Sequence, residues 1–272
     1  MEESDAYTFY ETKECKNPVF ENIDATYILT LENSDRIAKM DPYMFTLSKK
    51  TFIQVNKGFK KYKKINVDTT CKDILHACRN IFYNAEIYNN ILVLEDDAVF
   101  INKNYSDIEK SLKNIDSFIG RNEFNVYSLG SLGFTVPTNE IFHQRFLGFM
   151  GFAQAIVYTK SIRENLLDSD ITNLNHIDAS FLSKNNLKYT YYKPIIVQYF
   201  EDTENMKEWG INEKKSSFEK IGTKFFIFFV QRVLRLQDSL KGWYFLYFIN
   251  NAPLVTVVAF LLAIIKNINL LG

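Results

Sequence analysis

The stretch Ile91-Leu92-Val93-Leu94-Glu95-Asp96-Asp97-Ala98-Val99-Phe100 decides the reading of this chain. Residues 90–94 predict a buried strand that runs straight into three consecutive carboxylates. In open α/β sheets the carboxyl ends of the strands are where ligands bind. Three adjacent negative charges repel one another unless a cation offsets them. A hard divalent ion held by one or two carboxylates, and completed by phosphate oxygens of a substrate, is the usual solution. The plain alternative is an acidic turn, but here apolar residues resume at once after Asp97.

Working outward, short apolar runs alternate with helical stretches up to about residue 222. Strands are expected at 26–31, 52–55, 125–129, 152–158 and 188–197. Helices are expected from about Asp35 to Ser48, from Thr69 as N-cap to about Tyr88, and from Ser161 to Leu167. The basic loop Lys57 to Lys64 reads as a solvated face. Strands alternating with helices predict an α/β sandwich with a largely parallel sheet.

Composition narrows the function. The chain has 272 residues with 32 Lys+Arg against 32 Asp+Glu, so its formal net charge is zero. That argues against a nucleic-acid binder working through surplus positive charge. At 47% hydrophobic and 24% charged it is a folded protein. Cys15, Cys71 and Cys78 form no disulfide framework and no CxxC pair, so buried thiols in a reducing compartment are expected. The three histidines are scattered, which argues against zinc. The acidic N-terminus lacks the apolar core of a secretory signal.

The C-terminal part has a different character. Gly242 to Ile265 carries no charged residue, a run of roughly 24 residues that would reach ~36 Å as a helix against a bilayer core of ~30 Å. Asn250, Asn251 and Pro253 interrupt it, leaving a kinked spanning helix, an interfacial helix pair and a buried core helix as competing readings. Upstream, Phe225 to Lys241 has the spacing of a basic amphipathic helix, with Phe226, Phe229, Val233 and Leu240 near one face. Lys215, Lys220, Lys224, Arg232, Arg235 and Lys241 precede the apolar run and only Lys266 follows it. That asymmetry would keep the body on the cytoplasmic side of a membrane. The body is expected to close near Gln198 and to offer the tail no apolar surface.

A response-regulator receiver also begins with an apolar strand and paired acids. It would need an Asp at the end of a later strand, and Thr135 to Ile141 contains none. From about Ala25 to Gln198 the chain instead resembles family 25 glycosyltransferases, the lipooligosaccharide and procollagen galactosyltransferase group, which has relatives in large DNA viruses. The resemblance is carried by several blocks in order. Tyr27 to Leu31 with Asp35-Arg36 is similar to the family's opening strand, and Cys71 to Asn84 with His76 to the helix that follows. Ile91 to Phe100 is similar to its "LEDD" block, and Gly151 to Tyr158 to the strand after it. His176-Ile177-Asp178 and Pro194 to Gln198 are similar to its late acidic site and closing strand. The opening strand departs from the family in having Thr30 where Asn is usual.

The resemblance implies a GT-A fold, an α/β Rossmann-like transferase domain over 1–222, with a membrane-associated tail over 223–272. It implies a UDP-sugar or similar nucleotide-sugar donor, and a glycan, lipid-linked or protein acceptor. Glu95 and Asp97, with Asp96, would hold Mn²⁺ or Mg²⁺ against the donor diphosphate. Arg36 would contact the nucleotide, or else form a surface salt bridge. Asp178 would be the general base of an inverting transfer, or a helix N-cap, or both. His76 reads as a satisfied helix residue. The other class of function is a membrane-anchored glycan-binding or scaffold protein without turnover.

Overall fold

The structure is a computed structural model that describes residues 3–12, 14–170, 174, 177–199, 227–237 and 239–248. Its centre is a nine-stranded sheet. The strands in chain order are β1 Tyr7–Glu11, β2 Ala25–Leu31, β3 Lys50–Asn56, β4 Asn90–Glu95, β5 Ala98–Phe100, β6 Val126–Ser128, β7 Thr135–Pro137, β8 His143–Phe146, β9 Ala155–Thr159, β10 Lys188–Tyr191 and β11 Ile196–Gln198. Spatially the large sheet runs β1-β3-β2-β4-β9-β6-β10-β8-β7, and β11 and β5 form a small second sheet.

The helices of the body are α1 Arg36–Lys39, α2 Thr70–Asn84, α3 Tyr105–Arg121 and α4 Lys160–Asp168. In β4, Ile91 and Val93 face the core shared with α2 and α4, where they meet Leu75, Ile81, Phe82 and Ile162. Leu92 and Leu94 face the opposite core, with Ile108, Leu112, Ile115 and Phe118 of α3. A strand covered on both faces has no reason to alternate, which explains the unbroken apolar run. Thr69 caps α2 as expected, its side chain accepting from the Lys72 amide.

Several expectations are corrected. The sheet is mixed rather than largely parallel. β2 is parallel to β3 and β4, and β6 to β10, whereas β9 lies antiparallel between β4 and β6. The helix expected from Asp35 to Ser48 is broken into α1 and a 3₁₀ turn at Pro42–Thr46. Pro42 disfavours helical geometry at Asp41, which is extended at φ −60, ψ 123 and caps the second turn through the Tyr43 amide. The strand expected over 188–197 is two strands in different sheets, parted at Lys193-Pro194.

Lys64 is not solvated either. Its fully buried ammonium meets Asp73 at 2.5 Å and Asn56, and lies 4.7 Å from the centre of the Tyr7 ring. A lysine run disguises a residue whose partners are distant in sequence.

The tail also differs from expectation. Among the described residues no helix is long and apolar enough to cross a membrane. The part of the charge-free run after residue 248 lies outside the described residues. Within residues 227–237 and 239–241 the described part of the expected amphipathic helix is not continuous. A π-helical turn, Phe229–Val233, gives way to Arg235 at φ 54, and a new helix covers 241–248.

Both pieces pack on the body. Val230, Leu236, Trp243 and Tyr247 bury themselves with Ile101 and Val197, so the body does offer the tail an apolar surface. Residues 1–222 expressed alone should therefore be less stable than the whole chain. The loss should be at least ~3 kcal/mol, the scale of emptying one buried aromatic site. Urea unfolding of both forms checks this, and equal midpoints would contradict the packing.

His143 sets a pH limit on the fold. Its ring stacks on Phe118 with centroids 4.3 Å apart, and Nδ1 pairs with the Tyr127 hydroxyl at 2.8 Å. Burial pushes the imidazole down to about 4, with Glu140 opposing and Arg121 assisting. Neutral in the fold yet protonated when unfolded, His143 withdraws stability as pH falls from ~6.5 towards 4, on the order of 3 kcal/mol in all. Comparing denaturant melts of wild type and His143→Gln at pH 7 and pH 4.5 should show the acid loss shrinking in the variant.

Candidate active site at the carboxyl end of the parallel strands

β4 ends at Glu95, and the two-residue turn Asp96-Asp97 returns the chain as β5. The turn is held from both sides. On one side β5 pairs antiparallel with β11, matching Ala98 to Gln198 and Phe100 to Ile196. On the other, Asp96 Oδ2 accepts from the Thr30 hydroxyl at the end of β2, at 2.6 Å, and from the Ser34 hydroxyl at 2.7 Å.

Arg36 completes this loop. Its guanidinium meets Asp96 at 3.4 Å and Asp97 at 3.5 Å, and its side chain is 33% exposed. The surface salt bridge weighed against nucleotide contact is therefore present, and it is made to the acidic turn itself. Asp96 is chiefly a fastener between the turn and the β2–α1 loop. Asp97 shares the Arg36 guanidinium with it.

Asp178 joins them from far along the chain. It lies in a π-helical turn, Ile177–Phe181, and its Oδ2 accepts the Phe152 amide at 3.1 Å. That bond reaches across the chain to another segment, 26 residues away. The Phe152 segment serves both acids, because the Glu95 amide donates to Gln154 O at 2.9 Å. Gln154 is fully buried, and its Nε2 reaches Gly130 O and Ile196 O. Gly130 has no space for a side chain, since a Cβ there would sit 1.7 Å from Ile196 O.

The electrostatics follow from this crowding. Burial pushes the Glu95 carboxyl up to about 8, reinforced by Asp97, Asp178 and Asp96 and opposed by Arg36. Burial also raises the Cys78 thiol, helped by the same Glu95 and Asp178, and raises the Tyr158 phenol. Negative charge thus accumulates around Glu95, and one guanidinium opposes it there.

No protein-family model matches the chain, and no curated protein does. Solved structures similar to it include A197 from STIV, at 12% identity and TM-score 0.36, covering 67% of this chain and 87% of that one. UDP-glucose pyrophosphorylase complexed with UDP-glucose is another, at 12% identity and TM-score 0.37, covering 64% and 74% respectively. Its apo form gives a TM-score of 0.36. What the site can do is set by its own residues.

Glu95 and Asp97 are the residues that could hold a hard cation, and then only one that shares its shell with a ligand. The donors are all carboxylate oxygens, and their mutual repulsion at Glu95 is what a divalent ion relieves. Among the described residues no group of three or more His, Cys, Asp or Glu forms a cage of its own. Two carboxylates with phosphate oxygens completing the shell is the arrangement such a set allows.

The sequence picked out Glu95, Asp96, Asp97, Arg36 and Asp178, and the structure brings all five into one neighbourhood. It missed Thr30, Ser34, Phe152 and Gln154. Thr30 carried a faint signal, as a hydroxyl replacing Asn at a strand end. His76 lies apart, its Nδ1 paired with the Tyr7 hydroxyl at 2.5 Å, and His176 lies outside the described residues.

Proposed function

We propose that this chain is a metal-dependent glycosyltransferase of the GT-A type, moving a sugar from a nucleotide sugar to a hydroxyl with inversion. The observation that carries the reading is the meeting of Asp178 with Glu95 and Asp97 across the Phe152–Gln154 segment. Glu95 and Asp97 would hold Mn²⁺ or Mg²⁺. When bound, the ion offsets the charge that builds on the departing nucleoside diphosphate. Arg36, which stands beside Asp97, would contact the diphosphate.

Asp178 takes the proton of the acceptor hydroxyl as that oxygen attacks the anomeric carbon. The carbon–oxygen bond to the diphosphate breaks on the opposite face, and its electron pair leaves with the nucleotide. Phe152 N–H orients the carboxylate for this step. The donor is a UDP-sugar or a close analogue, and the acceptor a glycan, lipid-linked sugar or protein. The tail attaches the enzyme to a membrane, with the body on the cytoplasmic side.

The test is incubation of full-length protein with a panel of UDP-sugars and Mn²⁺. Slow release of UDP that stops on addition of EDTA is expected. Release that persists in EDTA would rule out the metal-dependent reading.

A further inference from the structure

The helix over 241–248 is apolar on two faces. Inward, the Trp243 ring meets the Phe152 ring edge-on with centroids 5.8 Å apart, and its Nε1 donates to Gln198 O at 2.9 Å. The Tyr247 hydroxyl donates to Ser131 O at 2.9 Å. Ser131 in turn donates its hydroxyl to Phe152 O at 2.8 Å. Phe152 needs such support, because it sits at φ 68, a left-handed region that a residue with a Cβ rarely adopts. Trp243 and Tyr247 therefore bear on the two residues that fix the N–H donor to Asp178.

Outward, the same helix exposes Tyr244, Phe245 and Phe248. Phe134, Leu147 and Phe149 are exposed as well, on the two segments joined by the Leu132–Gly151 bridge. Arg232, Arg235 and Lys241 are exposed on the approach to this helix, and past Phe248 the sequence stays uncharged to Ile265. Aromatic side chains flanked by basic ones and leading into an apolar run fit an anionic lipid headgroup layer. A large aqueous apolar patch is the costly alternative.

We infer that the 241–248 helix is a two-sided brace, lying on anionic lipid with one face and holding Phe152, and so Asp178, with the other. Lipid binding then tightens the site. The inference rests on the reading of Asp178 as the base, and its test separates the two.

Full-length protein is mixed with vesicles of phosphatidylcholine alone, or of phosphatidylcholine with phosphatidylglycerol. Amide exchange is then read at Phe152. Exchange should slow by about tenfold or more on the anionic vesicles only. In the Phe245→Glu/Phe248→Glu double variant it should be normal without vesicles and unresponsive to them. Donor turnover should rise with anionic vesicles at unchanged KM. In Trp243→Ala it should fall through kcat, and Trp243→Phe should restore much of it. Faster exchange on vesicles would mean that lipid strips the helix from the body, and it overturns the brace. So does an unchanged rate, or a double variant that responds like wild type. Slowed exchange with no turnover on any donor leaves the brace standing and removes the glycosyltransferase reading.

Discussion

Asp178→Asn is expected to lower donor turnover by roughly 10²-fold or more, the usual scale for losing a general base, with donor affinity intact. The melting temperature should hold or rise. Asparagine still presents an oxygen to the Phe152 amide, so that bond survives. It also removes one of the charges that push the Glu95 carboxyl up. A site that gains stability when it loses a charge is spending stability on chemistry, the trade expected of catalytic positions. Steady-state kinetics beside thermal melts decide the matter. A variant with lower stability and nearly normal turnover would make Asp178 a structural residue.

Asp97→Asn should abolish nucleotide release and the thermal stabilisation that Mn²⁺ gives with a nucleotide sugar. The fold should stay within a few degrees of wild type, because Arg36 keeps Asp96 as a partner. The pH dependence of the unsubstituted protein adds a signature. The folded-state Glu95 carboxyl is raised to about 8, above its unfolded value. Its contribution to stability is therefore present at acid pH and lost as pH rises through about 8. A cation must displace that proton, so metal affinity should climb between pH 6 and pH 8.5, with protons released on binding. Titration calorimetry in two buffers of different ionisation enthalpy reads the release. Retained turnover in Asp97→Asn, or binding that ignores pH, would remove the metal role.

The parts of this molecule visible in its sequence are those whose causes are local. β4 announces itself because both of its faces are covered, and α2 because Thr69 caps it and its apolar residues recur on one side. The acidic turn was legible for the same reason. What stayed hidden depends on partners remote in sequence. The antiparallel insertion of β9 between β4 and β6 leaves no trace in the spacing of apolar residues. Nor does a lysine run disclose that Lys64 is buried against Asp73.

Phe152 is the clearest case. Nothing in a phenylalanine predicts a left-handed backbone whose amide serves a carboxylate 26 residues away. α3 has local causes as well, with Asn104 as its cap and Ile108, Leu112, Ile115 and Ile119 on one side.

The pairing of β5 with β11 bears on the order in which the protein comes into being. Ala98 to Phe100 emerges early in synthesis, but its strand partner among the described residues, Ile196 to Gln198, emerges after all nine strands of the large sheet. The parallel core of β2, β3 and β4 can condense around α2 while the acidic turn still lacks one of its two anchors. Contacts that close so long a loop form slowly, and chains fold from the N-terminus as they are made. A nascent chain would thus carry a recognisable sheet well before it carried a working centre, and the last strand to arrive would be the one that switches it on.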